Sequence, residues 1–277
     1  MPREESPRVR GSSLLALSAG ALPILVRVSA CNRPCGHEGG DFYDLLPFDR
    51  DHLGVFIGDV SGHGPQVVPV ARITRDLMRL QARRFGVSDP ASMVQSLNRD
   101  LCERLPPSTF VTAVFGILHR PSGAFRFVRA GHCAPLLLGG GAPRPLSPAG
   151  IALGLDPGPL FREHLDSERV VFRRGERLLL YTDGLVEAWD PARGAFGRDR
   201  LALSFARHAT EEGEERCVSG ILRDWRRHLG DAEPDDDATI ILLHGAEPHR
   251  RHRSPGATPA DDSPTPPARS TDPRPGL

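Results

Sequence analysis

Apolar runs of strand length crowd together in this chain and its helical patterns come in pairs, with no regular strand–helix alternation. Runs at 24–30, 42–47, 53–59, 109–118, 124–130, 135–138, 169–172, 177–182 and 238–244 read as strands. A 3.6-residue period covers 66–85, 90–104, 198–208 and 214–229. A doubly wound parallel sheet needs a crossover helix after each strand, and this pattern lacks them. The expectation is an α+β fold with largely antiparallel sheets. Local punctuation agrees. Pro121-Ser122-Gly123 and Arg174-Gly175-Glu176 sit between strand runs as turns. Gly139-Gly140-Gly141 lacks the Gly-Lys-Ser/Thr ending of a nucleotide loop and reads as a hairpin tip. Ser88 or Asp89 can cap the second helix, with Pro90 at its first position.

These elements fill one domain, residues 22–245, between an N-terminal segment 1–21 and a tail 246–277. The tail holds eight Pro in 32 positions with little apolar content, too little to offset its ordering entropy, and reads as disordered. The apolar run 14–26 is too short to span a bilayer and is interrupted by Pro23. Residues 28–31 after Arg8 and Arg10 have the look of a lipoprotein signal, but Arg27 breaks the run. The expected compartment is the cytoplasm. The 35 basic residues, all Arg, balance 35 acidic ones, so no bulk charge draws the chain to nucleic acid or to a membrane. The arginine usage itself reads as codon bias. Five Cys exclude a disulfide scaffold. Cys31, Cys35 and His37 lack a fourth ligand at zinc spacing and read as separate groups beside a loop, while Cys102 and Cys217 read as core.

Four acidic positions close or open apolar strands, three of them beside glycine: Asp41 after Gly39-Gly40, Asp59 after Gly58, Asp183 before Gly184, and the run Asp235-Asp236-Asp237 before the strand at 238–244. Strand ends hold side chains rigidly, and glycine lets backbone approach a ligand. Gathered carboxylates repel unless a cation lies between them, and oxygen ligands select Mg²⁺ or Mn²⁺ over Zn²⁺. Taken singly, each is equally a turn Asp bonding its own backbone. The pattern alone leads to a divalent-metal hydrolase and no further. His63 lies in the glycine-rich loop after Asp59, either as a proton donor or as loop packing; His132 reads as a structural residue after a strand.

Six motifs in order carry a resemblance: Gly39-Gly40-Asp41-Phe42-Tyr43-Asp44, Gly58-Asp59-Val60-Ser61-Gly62-His63-Gly64, Thr109-Phe110-Val111-Thr112, Ala130-Gly131-His132, Tyr181-Thr182-Asp183-Gly184 and Asp236-Asp237-Ala238-Thr239. Over about residues 22–244 the chain resembles the bacterial PPM-type serine/threonine phosphatases of the sporulation stage II E class, relatives of protein phosphatase 2C. The resemblance implies a β-sandwich of two antiparallel sheets flanked by helices. It implies a two-ion Mn²⁺ or Mg²⁺ site with Asp41, Asp59 as the bridging carboxylate, the Val60 carbonyl, Asp183 and Asp236 as ligands. Asp236 and Asp237 compete for the last place. Asp59 and His63 are the expected catalytic residues. The implied reaction is hydrolysis of phosphoserine or phosphothreonine by a metal-activated water, with no phosphoenzyme. The usual substrate in this class is a phosphorylated anti-sigma-factor antagonist; a separate activator protein would supply the switch, or the enzyme is constitutive. The competing readings are a pseudophosphatase that acts as a protein-binding module and a phosphatase of small phosphate esters. Six motifs span the chain, whereas the shorter Asp-Gly-His-Gly form of the eukaryotic branch is absent around His63.

Overall fold

The structure, a computed structural model, describes residues 25–35, 39–211 and 213–246. The N-terminal segment 1–21, most of the apolar run 14–26, His37 and all of the tail except Ala246 lie outside the described residues. Strands β1 (Leu25–Arg33), β2 (Phe42–Pro47) and β3 (His52–Val60) lead into helices α1 (Val67–Phe85) and α2 (Pro90–Cys102). Strands β4 (Val111–His119), β5 (Ala124–Ala130), β6 (Leu136–Leu138) and β7 (Arg144–Pro145) follow, then α3 (Pro159–Glu163), β8 (Ser167–Val171) and β9 (Arg177–Tyr181). The chain continues through α4 (Asp183–Val186), the hairpin β10 (Trp189–Asp190) and β11 (Gly194–Ala195), helices α5 (Gly197–His208) and α6 (Glu214–Leu229), and β12 (Ala238–Ala246). The last strand runs one residue past the expected domain end at 245.

Two five-stranded sheets form, in the orders β1-β12-β9-β6-β7 and β2-β3-β4-β5-β8, and every strand pair within them is antiparallel. The central strands are apolar on both faces because both faces are covered. Successive residues alternate sides. Val55, Ile57, Val114 and Phe125 of one sheet meet Leu178, Leu180, Ile241 and Leu243 of the other in a shared inner core. The alternate positions face outward: Phe56 and Phe115 pack beneath Met78 of α1 and Met93 and Leu97 of α2. On the opposite side Leu179, Tyr181, Ile240 and Leu242 pack beneath Phe205 of α5 and Val218, Ile221 and Trp225 of α6. The result is a four-layer α-β-β-α sandwich, the α+β arrangement expected from the sequence.

Asp89 caps α2, its carboxylate accepting from the Ser92 amide at 3.3 Å, with Pro90 in the first turn. Cys217 is buried in the outer core as expected, whereas Cys102, at the last residue of α2, is only half-buried. Cys31 is buried within β1 and Cys35 is exposed; both are free thiols. Among the described residues no helix is long and apolar enough to cross a membrane.

Candidate active site

The two-residue period that builds the inner core also selects what stands at its open end. On β3, Val55 and Ile57 point between the sheets, so Asp59 does as well. Thr112, directly across from Asp59, shares the parity of Val114. Tyr43 and Leu45 of β2 line the inner core, and the same period carries inward to Asp41, just before the strand. From the other sheet, Thr182 continues the inward series Leu178 and Leu180, and Thr239 precedes Ile241 and Leu243 in the same series. Polar side chains from both sheets thus follow the last apolar layer at one end of the sandwich.

Hydrogen bonds tie the sheets together there. The Thr182 and Thr239 hydroxyls each donate to Asp41 Oδ2 at 2.7 Å, across 141 and 198 residues of chain. The Thr239 amide donates to Thr182 Oγ1 at 2.9 Å, and the Thr182 amide to the Thr239 carbonyl at 3.1 Å. Burial is the main cause of an Asp41 pKa pushed up to about 8; the two threonine bonds oppose it, and the charges of Asp237 and Asp236 add to it. Asp59 is pushed further, to about 9, by burial first and then by the charges of Asp41, Asp183, Asp236 and Asp237. The last four come from the β2 entrance, the start of α4 and the turn before β12, so the fold brings every predicted carboxylate into one electrostatic neighbourhood.

Asp236 and Asp237 play different parts. Asp237 is 3% exposed and spends both oxygens on backbone, accepting from the Cys35 amide at 2.7 Å and the Asp41 amide at 3.2 Å. Asp236 accepts only locally, from the Asp237 amide at 2.8 Å through Oδ1, and its carboxyl is raised by burial and by the neighbouring Asp183 and Asp237 charges. Asp237 therefore fastens the β2 entrance to the turn, while Asp236 is left facing the carboxylates. Val60 pairs with that entrance too: its amide donates to the Gly40 carbonyl at 3.3 Å. A Cβ at Gly40 would stand 3.0 Å from Asp59 Oδ1 and 3.1 Å from the Val60 carbonyl oxygen, so glycine keeps open the space those two oxygens share.

His63 is exposed in the loop between β3 and α1, where its carbonyl accepts from the Gln66 side chain. His132 is buried, with Nδ1 2.8 Å from the hydroxyl of Thr112, the residue across from Asp59 on β4. Burial pushes its imidazole down to about 3, with the Arg129 guanidinium adding to the shift. Its Nε2 makes no bond of normal geometry, although the Tyr181 backbone lies close enough to favour the charged ring. Thr182 and Thr239 were present in the sequence motifs without a role, and Asp237 only as the rival of Asp236; the bonds that define all three join residues too distant in sequence for a local pattern to show.

The donor set consists of carboxylates and a carbonyl; burial first and neighbouring carboxylates after it raise Asp41, Asp59 and Asp236, and the set fits hard divalent cations. The carboxylates neighbour one another without converging: among the described residues no three His, Cys, Asp or Glu side chains form a ready cation cage.

Two antiparallel sheets, face to face and closing on aspartates drawn from both, make the architecture of the PPM, or protein phosphatase 2C-like, phosphatase domains. Solved structures share it. The RsbU and RsbW domains of Rv1364c from Mycobacterium tuberculosis superpose with a TM-score of 0.69 at 25% identity, over 82% of this chain and 62% of that one. The SiaA PP2C domain of Pseudomonas aeruginosa gives 0.68 at 22% identity, over 78% and 84%. The PP2C phosphatase domain of Bacillus subtilis SpoIIE, with a fragment of its regulatory domain, gives 0.69 at 15%, over 83% and 65%. Protein IcfG of Synechocystis sp. is 25% identical over 244 residues, which are 79% of this chain but only 38% of that protein. The chain belongs to the stage II sporulation protein E (SpoIIE) family, whose model matches residues 49–245. PP2C-like phosphatases are generally manganese- or magnesium-dependent, and one fold relative, RsbX, is known in complex with magnesium.

Proposed function

We propose that residues 22–246 form a Mn²⁺- or Mg²⁺-dependent phosphatase of phosphoserine and phosphothreonine in a protein. The observation that carries this reading is the tie between the two sheets at Asp41, whose Oδ2 accepts from Thr182 and Thr239 while Asp59, Asp183 and Asp236 lie in the same neighbourhood. Asp41, Asp59, Asp183, Asp236 and the Val60 carbonyl would hold two ions. When bound, the ions would neutralise the phosphate and make a water nucleophilic near neutral pH. Thr182 and Thr239 fix the Asp41 carboxylate so that its second oxygen has one direction available. Asp237 holds the backbone of Cys35 and Asp41 and so sets where the Asp41 side chain starts. His63, exposed in the loop after β3, would pass a proton to the departing serine or threonine oxygen.

The substrate class is a regulatory phosphoprotein, an anti-sigma-factor antagonist by family likeness, with a separate activator protein as switch. The location is cytoplasmic, with no nucleic-acid or membrane partner. Turnover of a phosphopeptide and of p-nitrophenyl phosphate, each with and without Mn²⁺, tests the reading. Mn²⁺-dependent turnover that favours the phosphopeptide supports it. Preference for the small ester, or no turnover of either by folded protein, contradicts it in favour of an esterase or of a binding module.

A further inference from the structure

A groove of about 340 Å³ opens on the outer face of the β1–β12 sheet, between α5, α6 and the β10–β11 hairpin. Four arginines line it, Arg193, Arg200, Arg207 and Arg227, against one carboxylate, Asp224. The chain as a whole is neutral, so this is segregation of charge and not a reflection of composition.

Each arginine is anchored through Nη1. Arg193 donates to the Arg227 and His228 carbonyls at the end of α6, both at 2.8 Å. Arg200 donates to the Ala195 and Phe196 carbonyls at 2.8 and 3.2 Å. Arg207 and Arg227 grip the two oxygens of Asp224 at 3.2 and 3.1 Å. A guanidinium carries five N–H donors, so each anchored fork keeps donors for a ligand, and its rotamer freedom is already partly spent.

The rim is apolar as well as basic. Leu203 of α5 lines the groove and is 68% exposed, the largest exposure among the large apolar residues of the described chain. Phe196 lies beneath, buried edge-on to His228 with ring centroids 5.4 Å apart, so it offers no free face on which a nucleotide base could stack. Basic forks around an exposed leucine suit carboxylates that alternate with an apolar side chain. We propose that this groove is a docking site for an acidic segment of a partner protein, with Asp or Glu on the arginine forks and an aliphatic residue on Leu203. The site stands apart from the carboxylate cluster, and its test does not depend on turnover.

The test is fluorescence anisotropy of the full chain with a labelled peptide of glutamates interrupted by leucines, at low and high salt. Two variants are compared: Arg207→Ala with Arg227→Ala, in which Asp224 keeps its bonds to Ser204 and His208, and Leu203→Ser at an exposed position. The expected result is salt-sensitive binding, weakened at least about tenfold by the double variant and about threefold by Leu203→Ser, with the melting temperature unchanged. Equal binding by wild type and both variants would overturn the proposal. So would full displacement of the peptide by inorganic tripolyphosphate with Leu203→Ser indistinguishable from wild type, because that describes a site for small anions. Should the double variant fail to fold, Leu203→Ser and the tripolyphosphate competition decide alone.

Discussion

Asp59 sits where burial and neighbouring carboxylates all disfavour its charge, and a cation is the physical remedy. Asp59→Asn keeps size and shape but bridges poorly, and it is expected to lower kcat at least about a thousandfold while the fold survives. The same residue sets a pH signature in chelator. A carboxyl whose folded pKa is raised binds more protons folded than unfolded between its ordinary value, about 3.9, and about 9. Its contribution to stability is complete below that ordinary value and is lost as pH rises through about 9. The melting temperature of the cation-free protein should therefore fall from pH about 5 to about 8, and less so in Asp59→Asn; parallel melting curves would count against the crowding. A second comparison separates the neighbouring acids. Asp236→Asn should abolish Mn²⁺ response with little loss of stability, whereas Asp237→Ala, which strips two backbone amides of their acceptor, should cost about 1–3 kcal/mol in denaturant melts. The reverse pattern would exchange their roles. The sequence left this pair unresolved because three consecutive acids blur register; only the amides of Cys35 and Asp41, about 200 residues away, distinguish them.

Among elements, the long strands and helices were legible because each buries a face and so repeats at a fixed period. All four expected helices form, and β2 and β5 form over the residues expected. Helices α3 and α4, of five and four residues, were not legible because they are too short to display a helical period, nor were β7, β10 and β11, of two residues each. Helix α4 exists for tertiary reasons. Its second residue, Gly184, lies so close to the turn before β12 that a Cβ there would stand 1.9 Å from the Asp237 carbonyl oxygen. Backbone cannot yield as a flexible side chain does, and both segments carry a predicted ligand, Asp183 and Asp236. Gly184→Ala should therefore push these apart, destabilise the fold by about 1–3 kcal/mol and lower Mn²⁺ affinity in calorimetry. Wild-type affinity in the variant would show that the approach of α4 to the turn is not what positions the two aspartates.

The molecule as a whole is two helix-covered sheets whose facing surfaces are apolar until one end, where the last inward positions turn to aspartate and threonine. Neither sheet has the set alone: Asp41 and Asp59 belong to one side and Thr182, Thr239 and the neighbouring Asp183 and Asp236 to the other. Sequence patterning showed the strands and their acidic ends, but the pairing of β1 with β12, which brings the last strand into the sheet beside β9, is a property of topology. The same pairing registers Leu25 with Ala246. A chain truncated after Ala246 should keep phosphopeptide turnover within about threefold of full length, in line with the composition of the tail; loss of turnover would place essential residues in 247–277. Carboxylates of both sheets are expected to act together on a pair of ions. The most direct measurement is phosphopeptide turnover by the intact chain, stripped with chelator and titrated with Mn²⁺, alongside calorimetric stoichiometry. No turnover is expected in chelator, with a rise on titration that saturates as two ions bind per chain. Undiminished turnover in chelator, or Mn²⁺ binding with no turnover of any phosphopeptide by the folded protein, would contradict that joint action.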